Sequence, residues 1–116
     1  VRDFNYVQDT VEGFIALAKS KRAIGEVVNL GSGRGVTIGQ TLRLIEKIAG
    51  RRVHAALDKK RIRPAQSEVF KLIADNKKAL KLAGWKPRFT LEDGLRRSFE
   101  YVRGELSEFK TGVYNV

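Results

Sequence analysis

Gly31, Gly33 and Gly35 stand close together in VVNLGSGRGVTIG, Val27 to Gly39, behind an apolar run and ahead of an apolar-periodic segment. Glycines so placed can let backbone N–H groups close on a phosphate at a helix N-terminus, so nucleotide binding is the first chemistry to test. A dinucleotide fingerprint requires G-x-G-x-x-G between strand and helix, with an acid roughly 20 residues further on. Here the spacing is G-x-G-x-G, Val36 stands where a third glycine is needed, and Asp58 lies late for the acid. G-x-x-x-x-G-K-[ST] is absent, because no Gly-Lys pair exists. A tight turn using glycine at positive φ and leading to a cap at Thr37 asks less of these residues.

Catalytic patterns are thin. Tyr-x-x-x-Lys, a proton-transfer pair of many nicotinamide enzymes, fails at every tyrosine: Tyr6 is followed by Thr10, Tyr101 by Glu105, and Tyr114 runs out of chain. G-x-S-x-G and H-E-x-x-H do not occur, and His54 has no charged partner nearby in sequence. Nothing assembles into a complete acid–base set. With one histidine and no cysteine, a zinc or copper site and disulfide chemistry fall away. The 23 Lys+Arg against 13 Asp+Glu give a formal charge of +10. That excess suits nucleic acid, an anionic surface, a phosphorylated ligand or plain solubility, and by itself selects none of them.

The elements that would position such residues alternate. The 116 residues allow one domain, and no apolar run reaches the ~20 residues of a membrane helix. Phe4 to Val7 reads as a short strand. Asp9 and Glu12 read as the N-cap and capping-box acid of a helix carrying Val11, Phe14, Ile15 and Ala18 on one face. Glu26 to Leu30 reads as a buried strand. Thr37 and Gln40 open a second helix with Ile38, Leu42, Ile45 and Ile48 in a stripe, closed by Gly50. Val53 to Leu57 is a further strand candidate, followed by a basic irregular segment through Pro64. Asp75 caps a short helix over Asn76 to Ala83, ended by Gly84, and Trp85 folds back as a core plug. Thr90 and Asp93 open the last helix, where Leu91, Leu95, Phe99, Val102 and Leu106 share a face. The fold class expected is a small α/β layer with helices packed on short strands.

Several segments taken in order carry more than any one alone. RDFNYVQD at Arg2 to Asp9, GEVVNLGSG at Gly25 to Gly33 and Arg63-Pro64 are followed by ADNKKA at Ala74 to Ala79, GWKP at Gly84 to Pro87 and LEDGLRR at Leu91 to Arg97. This series resembles the C-terminal part of the extended short-chain dehydrogenase/reductase family, the NAD-dependent nucleotide-sugar epimerases and dehydratases. The resemblance implies that residues 1–116 are the substrate-binding lobe. A front Rossmann lobe, outside this chain, would carry the NAD, the glycine fingerprint and the Tyr-x-x-x-Lys pair. The N-L-G-S-G turn is then structural. A cytoplasmic setting and the family's chemistry, hydride abstraction from the sugar C4 by NAD⁺ followed by elimination or re-addition, are also implied.

Two site residues carry over by resemblance, Arg2 of R-D-F and Arg63 of R-P, which in the family grip the diphosphate of the nucleotide-sugar. A guanidinium is always charged and can hold two phosphate oxygens together, and Pro64 biases Arg63 towards an extended backbone. Outside that context both would pass for surface arginines on a basic chain. Many family members read R-P-G-D, whereas Ala65-Gln66 follows here, so the local turn departs from the pattern. The ending, with Tyr114-Asn115-Val116, is similar to bacterial 4,6-dehydratases acting on UDP-N-acetylglucosamine-type sugars in surface-polysaccharide synthesis.

Two rival classes remain open. A small nucleic-acid-binding domain would use the charge and the cluster Lys59, Lys60, Arg61 and Arg63, but no reader motif and no interleaved aromatics accompany it. Specific nucleic-acid recognition and membrane binding are therefore not expected. An interaction module would dock its helices on a partner. For a lobe of a larger enzyme that partner is the front domain, and an apolar face able to support self-association should be exposed.

Overall fold

The structure, a computed structural model, describes residues 1–54 and 69–109. Its described part is a helix-rich α/β lobe. Strand β1 (Arg2–Asp3) pairs antiparallel with β2 (Gly35–Val36), with Arg2 opposite Val36, and Arg2 also forms a parallel bridge with Leu72. Four α-helices appear among these residues: α1 (Val7–Lys19), α2 (Ile38–Ala49), α3 (Lys77–Ala83) and α4 (Leu91–Gly104). Helix α1 packs on α3, and α2 on α4.

The starts of α2 and α4 follow from local chemistry. Gln40 N–H donates to Thr37 Oγ1 at 3.1 Å and Thr37 N–H to Gln40 Oε1 at 2.8 Å. Asp93 N–H donates to Thr90 Oγ1 at 3.1 Å, and Thr90 N–H to Asp93 Oδ2 at 3.2 Å. Each box supplies acceptors to donors that the first helical turn leaves unpaired. Gly50 and Gly84 close α2 and α3 in the left-handed conformation. At α3 the cap residue by geometry is Asn76, while Asp75 Oδ1 accepts Lys77 N–H at 3.0 Å. Thr41, Leu44 and Ile48 lie on the sheltered side of α2, and Leu91, Leu95 and Phe99 on that of α4. Lys47 on α2 donates to Glu92 on α4 at 3.0 Å.

Helix α1 departs from expectation twice. Phe4 to Tyr6 form no strand, the sheet lying instead at Arg2–Asp3, and the helix begins at Val7 after Tyr6, which makes no side-chain cap. Asp9 is therefore already inside the first turn and is not the N-cap. It is wholly buried. Its carboxylate accepts Arg88 N–H at 2.9 Å and Phe89 N–H at 3.1 Å, while its main-chain carbonyl accepts Trp85 Nε1–H at 3.0 Å. The second departure concerns which face is inside. A Cβ at Gly13 would stand 2.6 Å from Leu30 Cδ1 and 3.2 Å from Trp85 Cε2. The bare backbone at Gly13 thus lets Trp85, only 5% exposed, pack close against α1. The apolar stripe Val11, Phe14 and Ile15 is turned outward with Val7, and Phe14 is 63% exposed.

Glu26 to Leu30 is likewise not the buried strand its apolar residues suggested. A strand needs a neighbour for its N–H and C=O groups, and among the described residues this segment has no strand partner. Val27 is 85% exposed, and Ile24 just before it is 80% exposed. Val53 and His54 are exposed and outside any strand, while the rest of that strand candidate lies outside the described residues. No helix among those described is long and apolar enough to cross a membrane, and no group of acids and histidine there could hold a metal ion.

Candidate functional site

Strand β1, Gly31 and the 72–74 segment wall a cleft of about 340 Å³, lined by Arg2, Asp3, Asn5, Asn29, Gly31 and Ala74 among others. Arg2 reaches it from β1. Its backbone is fixed by the pairing with Val36 and Leu72, and its Nη1 donates to the main-chain carbonyls of Val1 at 3.0 Å and Val69 at 2.5 Å. These contacts hold the Arg2 guanidinium against main-chain carbonyls, and Arg2, Asn5 and Asn29 are among the residues that line the cleft. Asn5 Nδ2 donates to Thr10 Oγ1 at 2.8 Å, and Asn5 Oδ1 is buried with no hydrogen-bond partner among the described residues.

The glycine turn reaches the same cleft at Gly31, and its Ser32 and Gly33 N–H donors are already engaged. Asp3 carboxylate accepts Ser32 N–H at 3.0 Å, Gly33 N–H at 2.9 Å and Ala74 N–H at 3.1 Å, and also accepts the Ser32 hydroxyl. Gly33 stands at φ +71°, and a Cβ at Gly31 would meet Ala74 Cβ at 2.5 Å and Asp3 Oδ2 at 2.9 Å. Both glycines are thus required by the turn itself. The turn is an anion nest of converging N–H groups, and the anion is the chain's own aspartate. A dinucleotide's pyrophosphate does not fit there, and no residue of this turn is assigned to NAD. Asn76 Nδ2 fastens the same turn by donating to Gly31 carbonyl at 3.0 Å.

Of the two site residues expected from the sequence, Arg2 lines this cleft, and Asn29 lines it as well. Arg63, Pro64 and the cluster Lys59, Lys60 and Arg61 lie outside the described residues, as does the ending from residue 110. Tyr6 serves packing, its ring meeting Phe89 edge-on with centroids 5.0 Å apart. Asp3 and Asn5 were missed. The signal for Asp3 was an acid directly beside the candidate arginine in a chain whose glycine turn lacked an anion; Asn5 carried no signal.

A second cleft, about 380 Å³, lies between Arg34 and the 87–92 segment and is lined by Phe4, Leu44 and Phe89. Its cations are Arg34 and Arg88, and Arg88 is paired with Glu12. The Arg2 cleft is the better candidate, because its cation is anchored by backbone on a fixed strand.

The family model for GDP-mannose 4,6 dehydratase matches residues 1–98. The chain belongs to the extended short-chain dehydrogenase/reductase family of nucleotide-sugar epimerases and dehydratases. It is similar to UDP-glucuronic acid decarboxylase 1 of Xenopus tropicalis, at 34% identity over 97% of this chain and 25% of that protein. The UDP-glucose 4-epimerase of Thermotoga maritima, solved with UDP-glucose, superposes with a TM-score of 0.78 at 34% identity, covering 90% of this chain and 32% of that one. That of Bifidobacterium longum, solved with NAD⁺ and UDP, gives 0.81 at 28% identity, covering 93% and 31%. The chain spans about a quarter to a third of the length of the curated relatives it matches.

Proposed function

We propose that this chain is the nucleotide-sugar-binding lobe of an NAD-dependent sugar epimerase or dehydratase, in its specific form a cytoplasmic UDP-sugar 4,6-dehydratase of surface-polysaccharide synthesis. The observation that carries the reading is Arg2, held by β1 and by main-chain carbonyls at the wall of a cleft lined with amides. A diphosphate carries its charge on several oxygens, and a second cation is needed to balance it; Arg63 takes that part. This lobe binds and orients, while NAD is held by a front Rossmann lobe outside the chain. The outward apolar stripe of α1 is the surface that meets that lobe, and in its absence supports self-association.

The test is a UDP titration of the intact enzyme and of its Arg2→Ala and Arg63→Ala variants. Each substitution is expected to weaken UDP about tenfold or more, the scale of a lost charge-assisted contact. Unchanged affinity in both removes the grip. The chain alone is expected to bind UDP weakly or undetectably, because half of the cleft is contributed from elsewhere. Product analysis with UDP-N-acetylglucosamine separates a dehydratase from an epimerase or decarboxylase.

A further inference from the structure

We infer that Asp3 is the positioning residue for Arg2: its carboxylate fills the anion nest of the glycine turn and thereby sets the width of the cleft into which Arg2 reaches. The inference rests on the reading of Arg2 as a diphosphate ligand and goes beyond it, since Asp3 touches no substrate in that reading.

Four donors from separate segments converge on the Asp3 carboxylate. Ser32 and Gly33 belong to the turn, Ala74 to the segment beyond the Leu72 bridge, and Asp3 itself to β1. These are the three segments that wall the Arg2 cleft. Each carboxylate oxygen has a distinct task. Oδ1 takes the Ser32 N–H and hydroxyl, while Oδ2 takes the Gly33 and Ala74 N–H groups and so bridges the turn to the 72–74 segment. The two-residue sheet is too short to fix this spacing by its own ladder. Because Asp3 follows Arg2 directly, the atom that joins the walls and the cation that uses them are fixed to one another through a single peptide unit. Both residues line the cleft, Asp3 with its carboxylate engaged in the nest and Arg2 with its guanidinium on the Val1 and Val69 carbonyls.

An acid beside a phosphate-binding arginine would ordinarily weaken the phosphate through like charge. Here four donors surround the carboxylate, so its charge is met locally. The geometry also explains why a glycine-rich turn with converging N–H groups offers nothing to a cofactor: an anion is built in.

The test compares UDP with uridine, which lacks the diphosphate, by calorimetry on the intact enzyme. Four proteins are needed: wild type, Arg2→Ala, Asp3→Ala and the double variant. Asp3→Ala is expected to weaken UDP about tenfold while leaving uridine unchanged. The double variant is expected to be no weaker than Arg2→Ala alone, because Asp3 acts through Arg2. Formate, which restores a carboxylate to the vacated nest, is expected to recover UDP binding in Asp3→Ala but not in Arg2→Ala. A loss shared equally by uridine and UDP, or one that adds in full to the loss in Arg2→Ala, overturns the inference and leaves Asp3 a structural residue. If Arg2→Ala weakens UDP and Asp3→Ala does not, the positioning role alone fails. If Arg2→Ala is itself without effect, the diphosphate reading fails first. Should Asp3→Ala not fold, Asp3→Asn serves, since its amide keeps the volume but cannot accept from both Ser32 and the Gly33–Ala74 pair.

Discussion

Asp3 and Asp9 do the same chemistry in two regions of the molecule. Each carboxylate gathers main-chain N–H groups from segments far along the chain, Ser32, Gly33 and Ala74 for one and Arg88 and Phe89 for the other. The difference is where each stands. Asp9 is wholly buried and its own carbonyl receives Trp85, so it ties α1 to the entry of α4 within the core. Asp3 is half-buried at the wall of the Arg2 cleft. One acceptor hub closes a core, and an equivalent hub shapes a site. The chemistry of a carboxylate among N–H groups therefore does not announce function; the role proposed for Asp3 comes from its neighbour Arg2.

Substitutions can break or sharpen that contrast. Asp9→Ala orphans two sheltered N–H groups and is expected to cost about 3–5 kcal/mol in denaturant unfolding. A loss below about 1 kcal/mol would remove Asp9 from the core role. Asp3→Ala, facing solvent on one side, is expected to cost about 1–2 kcal/mol in the same measurement, less than Asp9→Ala. Trp85→Phe keeps most of the ring but loses the bond to the Asp9 carbonyl, for about 1–2 kcal/mol. Thr90→Ala removes one capping acceptor at α4 and is expected to cost about 1 kcal/mol, read as a shift in denaturant midpoint.

The smallest expected effects are those of exposed acids. The Thr90 hydroxyl, with help from its N–H, holds Asp93 below the ordinary carboxylate value of 3.8. The folded form therefore releases this proton more readily than the unfolded chain. Its stabilisation is complete above the ordinary value and is lost as pH falls through the lowered one. Asp93→Asn should flatten the acid limb of a melting-temperature titration and leave neutral pH little altered beyond the cap itself. Hydrogen bonding and charge from Lys78 lower Glu26 in the same sense, across an exposed 2.6 Å pair. Glu26→Gln should be near neutral and insensitive to salt, because surface pairs contribute little.

What was legible in the sequence was local. The Thr37–Gln40 and Thr90–Asp93 boxes were readable because the partners lie three residues apart, and the closures at Gly50 and Gly84 because φ > 0 favours glycine. Trp85 was readable as a plug from its size. Asp9 was misread as a cap for the same reason that the caps were read well: its true partners, Arg88 and Phe89, are remote, and no short-range pattern points to them. The strand expected at Glu26 to Leu30 failed because β-pairing is a property of a neighbour, and among the described residues that neighbour is absent.

The candidate site divides along the same line. Arg2 was identified through the ordered series of motifs, and the structure sets it at a cleft. Asp3, its adjacent residue, went unread because its role exists only once the glycine turn and the Ala74 segment have come together.

By itself, then, the sequence determined where α2 and α4 begin and where α2 and α3 end, that the glycine spacing was wrong for a dinucleotide, and which family's series of motifs the chain carries. Only the tertiary structure decided that an internal carboxylate fills the turn, that the apolar stripe of α1 faces outward, and that Arg2 stands at a cleft. The physical reason is range: capping and glycine conformation are fixed by atoms a few bonds apart, whereas converging N–H donors and buried faces are created by the meeting of distant segments.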